Sequence, residues 1–117
     1  MAEGTPLTVA QVVEALELSV LAGAGALDKT VTGAQVGDLL SYIMAQGKPG
    51  HLWITIQTHA NIVAVAALKD FSGIVLAGDF APGEETVERA DEEEIPLLRS
   101  KKNSFVLAGR LYALGVR

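Results

Sequence analysis

The sequence predicts an α/β fold: one compact domain with a short, mostly parallel sheet of four or five strands and helices on its faces. Two observations favour it. Short apolar stretches alternate with helical patterns along the chain, and residues 51–78 read as a strand, a polar loop, an apolar helix and a second strand. The predicted elements are, in order, a helix at 8–17, a strand at 19–22, a turn at 23–28, an extended piece at 30–32, a helix at 38–45, a strand at 51–57, a helix at 61–69, a strand at 74–77, a helix at 84–94, a strand at 95–99 and a helix at 104–114.

The first half of the chain contains clear start and stop signals. Thr8 and Gln11 have the spacing of a capping box, which starts the first helix. Gly33 is expected to end the short extended piece before it. Asp38 is expected to begin the second helix, and Gly47 with the residues after it ends that helix.

The second half contains the strongest strand and the most apolar helix. Residues 51–57 alternate β-branched and aromatic side chains, as strands do. Residues 61–69 are apolar on nearly every side, which is typical of a helix covered on both faces. The helix at 84–94 is acidic and is expected to be exposed. The chain therefore predicts a single domain over residues 1–117.

Composition argues against several classes of function. The net charge is −5, whereas nucleic-acid and anionic-membrane surfaces need clustered Lys and Arg. Only Arg99, Lys101 and Lys102 form a basic cluster. The chain has no cysteine, so it has no thiol nucleophile and no disulfide, and a cytoplasmic location is the expectation. The first residues lack a basic stretch followed by an apolar run, so no signal peptide is expected.

Three loops follow predicted strands and carry polar side chains. Because the carboxyl ends of parallel strands share one sheet edge, these loops are expected to converge there on a polar pocket. Helix starts and positive charge in such a pocket favour a phosphorylated small molecule or a nucleotide. The candidate ligand-binding residues are Thr58, His59, Asn61, Gly78, Asp79, Lys101, Lys102, Asn103 and Ser104.

Each candidate also has a purely structural interpretation. Thr58 could act only as a helix cap, and His59 could be a structural or interface histidine. Asp79 could stabilise its own turn, and the two lysines could be simply solvated. We predict no catalytic residue, because His59 and Asp79 alone do not form a nucleophile, base and orienting group. We also predict no cofactor and no metal site, because His59 has no second histidine or cysteine near it in sequence.

Several short motifs occur here in an order that resembles the DRTGG domain family. They are Thr32-Gly33-Ala34, the strand ending at Gln57, Gly73-Ile74-Val75-Leu76-Ala77-Gly78, Ile95-Pro96-Leu97-Leu98 and Asn103-Ser104-Phe105. The likeness spans residues 7–115, but the two signature clusters differ. Thr58-His59 stands where the family has Asp-Arg, and Ala77-Gly78-Asp79 stands where it has Thr-Gly-Gly.

The resemblance implies a non-catalytic regulatory module and a homodimer. DRTGG domains accompany CBS domains in regulated pyrophosphatases and are similar to the amino-terminal domain of HPr kinase/phosphorylase. Kinase activity is rejected for this chain, because it has no Gly-x-x-x-x-Gly-Lys-Ser/Thr loop to hold phosphates. The apolar helix is the expected dimer contact, through Ile62, Val65 and Ala66. The alternative is a protein-interaction domain that docks to a metabolic or redox enzyme without a small ligand.

Overall fold

A computed structural model describes residues 6–117. They form seven strands and five α-helices, with a short 3₁₀ turn at Ala24–Ala26. In chain order the elements are β1 (Leu7–Thr8), α1 (Val9–Leu16), β2 (Ser19–Ala22), β3 (Thr30–Val31), β4 (Gly33–Val36), α2 (Leu40–Gln46), β5 (His51–Thr55), α3 (Asn61–Leu68), β6 (Gly73–Leu76), α4 (Glu84–Glu92), β7 (Leu97–Arg99) and α5 (Ser104–Ala113).

The main sheet has five strands in the order β2-β7-β6-β5-β4. The strands β4, β5, β6 and β7 run parallel to one another, and β2 pairs antiparallel with β7. The strands β1 and β3 form a separate antiparallel pair. The predicted α/β fold with a mostly parallel sheet is therefore confirmed.

The sheet lies between two layers of helices, each with its own apolar core. The alternation of side chains along β5 divides the cores, because Leu52 and Ile54 face one layer and Trp53 faces the other. The first layer holds α1 and α5, and the second holds α2, α3 and α4. This arrangement explains why β5 and β6 are buried on both faces and read as nearly continuous apolar runs.

The helix layers change at β7, and this change positions the site described below. The helices that connect β4, β5, β6 and β7 all lie on one face, whereas α5, which follows β7, crosses to the other face. The loops after β6 and β7 therefore leave the same sheet edge in opposite directions. In open α/β sheets, ligands bind at this edge, outside the carboxyl ends of the strands.

The prediction that Gly33 ends an extended segment is wrong. Gly33 instead begins β4, which pairs with β5 from the register Gly33 with His51. A Cβ atom at Gly33 would lie 2.8 Å from Nε2 of His51 and 3.0 Å from the carbonyl oxygen of Arg117. The glycine is thus needed for close approach of neighbouring groups rather than for a turn.

The prediction that Asp38 begins the second helix is also wrong. The helix α2 starts at Leu40, and no side chain caps it. One carboxylate oxygen of Asp38 instead accepts hydrogen bonds from the Thr55 hydroxyl at 2.7 Å and the Ile56 N–H at 2.9 Å. Asp38 therefore ties the end of β4 to the end of β5, a contact that no local pattern reveals.

Both predicted caps at the first and last helices are confirmed. Thr8 and Gln11 form a complete capping box at α1: the Thr8 hydroxyl accepts the Gln11 N–H, and the Gln11 side-chain oxygen accepts the Thr8 N–H. At α5, the Asn103 side chain accepts the Val106 N–H at 2.9 Å, which makes Asn103 rather than Ser104 the cap.

Candidate functional site

The three candidate loops all leave the carboxyl edge of the parallel strands. They follow β5, β6 and β7, which are neighbours in the sheet. The loop after β5 is two strand spacings, about 10 Å, from the loop after β7. The three candidate loops therefore lie on one side of the molecule, and the loop after β6 lies between the other two.

The loops after β6 and β7 are joined directly by backbone hydrogen bonds. The Gly78 N–H donates to the Lys102 carbonyl and the Asp79 N–H donates to the Ser100 carbonyl, both at 2.8 Å. Gly78 and Asp79 both have positive φ, at 72° and 66°, so the chain turns sharply enough to present both donors. Asp79 adopts this left-handed conformation although it is not glycine, which Asp tolerates better than most residues. The two loops therefore form one connected rim.

A concave surface of about 280 Å³ opens between this rim and the start of β2. It contains three cationic and two acidic side chains on a chain whose net charge is negative. The lining residues are Glu17, Ser19, Asp79, Arg99, Ser100, Lys101 and Lys102. We call this surface the β7 crevice.

Arg99 and Asp79 form an ion pair within the β7 crevice. The Arg99 guanidinium lies 3.1 Å from an Asp79 carboxylate oxygen and donates to the Asp79 carbonyl at 2.6 Å. The Arg99 Nε atom is buried and has no hydrogen-bond partner within residues 6–117. Arg99 is thus fixed by Asp79 and still has one donor that nothing in this part of the chain satisfies.

Lys101 and Lys102 add two charges without carboxylate partners closer than 4 Å in the described chain. Lys101 is exposed and Lys102 is half-buried, and the Lys102 N–H donates to the Ser100 hydroxyl at 3.1 Å. The helix α5 begins immediately afterwards. Its first amide groups, at Ser104 and Phe105, have no partner inside the helix, so their partial positive charge adds to that of the lysines.

The residues predicted after β5 do not line the β7 crevice. The Thr58 carbonyl accepts the Thr86 hydroxyl at 2.8 Å, which ties this loop to α4. No side chain caps α3, whereas the exposed His59 accepts the Asn61 N–H through its Nδ1 atom at 3.0 Å. These contacts match the structural interpretation of His59, which stabilises the turn that leads into α3.

The crevice therefore brings together only part of the predicted set. Asp79, Lys101 and Lys102 line it, and Gly78 and Asn103 shape the two loops beside it. Sequence reasoning did not select Glu17, Ser19, Arg99 or Ser100. Arg99 could have been selected from the sequence, because it belongs to the basic cluster with the two lysines. Glu17 and Ser19 could not, because they reach the crevice only through the antiparallel pairing of β2 with β7.

The side chains predicted for a dimer contact lie inside the core. Ile62, Val65 and Ala66 pack in the layer between the sheet and the helices α2 and α4. They are covered by the chain itself, with at most 9% of their surface exposed. Only Asn61, Ala64 and Leu68 of this helix are exposed, so a second subunit would meet α3 through these.

Residues 6–117 contain no group of three or more His, Asp or Glu side chains placed to hold a metal ion. Within the same residues, no helix has both the length and the apolar character needed to cross a membrane.

Comparisons with known proteins agree with the fold. The chain is 29% identical over 109 residues to the uncharacterized protein YtoI of Bacillus subtilis (strain 168), covering 90% of this chain and 24% of that protein. Its structure is similar to the crystal structure of the CBS and DRTGG domains of the regulatory region of Clostridium perfringens pyrophosphatase, complexed with its activator diadenosine tetraphosphate. The TM-score is 0.72 at 17% identity, over 89% of this chain and 45% of that one.

The chain thus spans about a quarter of the one relative and less than half of the other. At 17% identity, the structural likeness to the pyrophosphatase region shows a shared fold and nothing about what this chain binds. The model of the DRTGG domain matches residues 11–114, nearly the whole chain. This chain therefore belongs to the DRTGG domain family.

Proposed function

We propose that this chain is a non-catalytic regulatory module, that it forms a homodimer, and that it binds a nucleotide or another phosphorylated metabolite in the β7 crevice. The observation that carries the proposal is the position of that crevice. It lies outside the carboxyl ends of β6 and β7, between their joined loops and the start of β2, and the carboxyl ends of parallel strands are the usual place for a ligand in an open α/β sheet.

The charges of the crevice favour a phosphate group. Lys101 and Lys102 come directly before the start of α5, so side-chain and helix-dipole charges have the same sign there. Arg99 is held in place by its ion pair with Asp79, and its side chain is 31% exposed. Arginine donors match the geometry of phosphate oxygens.

The family and the solved neighbour support the regulatory part of the proposal. The pyrophosphatase regulatory region that shares this fold is complexed with an activator that is a dinucleotide. A ligand of that chemical class carries several phosphates and two bases. Our proposal that the present chain binds a ligand of this class rests on the charges of the crevice rather than on the shared fold.

Calorimetric titration tests the ligand. ATP, AMP and diadenosine tetraphosphate are titrated separately into the wild-type chain and into a double variant, Lys101→Ala with Lys102→Ala. We expect at least one nucleotide to bind the wild type, and the double variant to bind it about tenfold or more weakly, since each lost charge-assisted contact contributes roughly 1 kcal/mol or more.

A second double variant, Lys48→Ala with Lys69→Ala, is the matched control. It removes the same charge from residues outside the crevice and should bind as the wild type does. If both double variants bind a nucleotide equally well, the assignment of the crevice is wrong. If none of the three nucleotides binds the wild type, the nucleotide part of the proposal is wrong.

A further inference from the structure

The seven side chains that line the β7 crevice are all charged or carry a hydroxyl group. None of them is aromatic or aliphatic, whereas pockets that enclose a nucleobase or another apolar group are lined mainly by such side chains. Two exposed aromatic residues are near it in sequence, Phe80 after β6 and Phe105 at the start of α5, but neither lines the crevice. As residues 6–117 form it, the crevice therefore offers charges and hydrogen bonds but no aromatic surface on which a base stacks.

The size and charge of the crevice match one phosphate group with a small polar substituent. Its volume is about 280 Å³, at the small end of the range for ligand pockets. Its three cationic side chains exceed its two carboxylates by one charge, and the amino end of α5 adds a partial positive charge. A phosphate monoester carries about two negative charges, which this excess can balance. A chain of several phosphates would bring further negative charge close to Glu17 and Asp79.

Ser100 offers a hydrogen-bond donor to such a phosphate. The residue lines the crevice, although only 7% of its surface is exposed. Its hydroxyl accepts the Lys102 N–H at 3.1 Å and donates to no acceptor within residues 6–117. Each serine hydroxyl has one proton to donate, so a phosphate oxygen beside Lys101 and Lys102 can accept this bond.

Glu17 and Ser19 suit the hydroxyl groups of a sugar. Both residues are exposed, and within the described chain no Lys or Arg nitrogen lies within 4 Å of the Glu17 carboxylate. A carboxylate repels phosphate but accepts hydrogen bonds from hydroxyl groups, and a serine hydroxyl both donates and accepts. The pairing of Ser19 with Arg99 places this side of the crevice next to the cations. A sugar attached to the phosphate would therefore find hydrogen-bond partners beside it.

We propose that the β7 crevice binds one phosphate and the sugar attached to it, and that the base of a nucleotide stays outside and is not recognised. A ribose 5-phosphate group is then the part that all its nucleotide ligands share, whichever base or further phosphates they carry. The inference names the recognised part of the ligand and rests on the proposed function.

Calorimetric titration of the wild type with a series of compounds tests this recognition. The compounds are inorganic phosphate, ribose 5-phosphate, AMP, GMP, UMP and ATP. We expect the dissociation constants of the sugar phosphates to agree within about threefold, and inorganic phosphate to bind about tenfold or more weakly because it lacks the sugar hydroxyls. The variant Lys101→Ala with Lys102→Ala should weaken all the sugar phosphates alike, by about tenfold or more, since they share the phosphate contact.

A second double variant, Phe80→Ala with Phe105→Ala, tests whether a base uses the exposed aromatic rings near the crevice. Phe80 is 50% exposed and Phe105 is 86% exposed, so neither substitution opens the core. We expect AMP and ribose 5-phosphate to bind this variant as they bind the wild type. A base stacked on either ring would instead make AMP bind about tenfold more weakly to the variant and leave ribose 5-phosphate unchanged.

Several results would overturn this inference and leave the proposed function standing. They are AMP binding about tenfold or more tightly than ribose 5-phosphate or UMP, ATP binding about tenfold or more tightly than AMP, and a loss of AMP affinity in the aromatic double variant. Inorganic phosphate that binds as tightly as ribose 5-phosphate would overturn the role of the sugar. If no phosphorylated compound binds the wild type, the proposed ligand and the inference are both wrong.

Discussion

At the scale of single residues, His51 is less exposed than its position in the sequence suggests, because neighbouring residues cover part of it. The sequence places it just after a turn, where exposure is the simple expectation, yet it is half-buried at the start of β5. Its Nδ1 atom lies 3.3 Å from both the Gln35 side-chain amide and the Lys48 N–H. Burial, and then the positive charge of Lys48, lower the pKa of His51 below its ordinary 6.5.

This lowered pKa predicts a pH dependence of the free energy of unfolding. The neutral imidazole is favoured in the folded chain, so its contribution is fully present above about pH 6.5 and is lost as the pH falls through the lower, folded pKa. Urea unfolding at about pH 7.5 and pH 5.5 should show a larger loss of stability on acidification for the wild type than for His51→Gln. An equal loss in both would show that His51 does not contribute.

Asp38 allows a second prediction at this scale. Replacing it with alanine leaves the fully buried Thr55 hydroxyl and the Ile56 N–H without their acceptor. We expect Asp38→Ala to lower the free energy of unfolding by about 1–3 kcal/mol, measured by urea denaturation. Asp38→Asn keeps an acceptor oxygen and should lose less. Stability unchanged in Asp38→Ala would contradict the role given to this carboxylate.

At the scale of elements, strong local patterns were predictable and tertiary contacts were not. The capping box of α1, the alternating strand β5 and the apolar helix α3 each follow from spacing within a few residues. The strand β4 was missed because its four residues include a glycine and a glutamine, and only pairing with β5 makes it a strand. Thr58 was the expected cap of α3 because threonine is common at that position, but no side chain caps this helix, and His59 accepts the Asn61 N–H instead.

The cap of α5 gives the prediction at this scale. Asn103 is the only residue whose side chain bonds the first turn of α5 in the described chain, at the Val106 N–H. Asn103→Ala should therefore lower the free energy of unfolding by about 1 kcal/mol, and Asn103→Asp should retain most of it. Thermal and urea unfolding of both variants provide the measurement. Equal losses for alanine and aspartate would show that the cap bond does not matter.

At the scale of the whole molecule, the candidate site depends on topology. The sequence indicated which loops carry polar and basic residues, and so identified Asp79, Lys101 and Lys102. It did not indicate that three successive crossovers share one face while α5 takes the other, because helices of both layers have similar apolar faces. The strand order separates the loop after β5 from the crevice, and the antiparallel pairing of β2 with β7 brings Glu17 and Ser19 into it.

The central claim is that the β7 crevice binds a phosphorylated ligand, and native mass spectrometry of the freshly purified chain tests it most directly. We predict that the wild type retains added mass from a phosphorylated compound, or takes it up from the nucleotides titrated above, and that Lys101→Ala with Lys102→Ala loses it. A wild type that carries and acquires no such mass, or a double variant that binds it unchanged, would contradict the account.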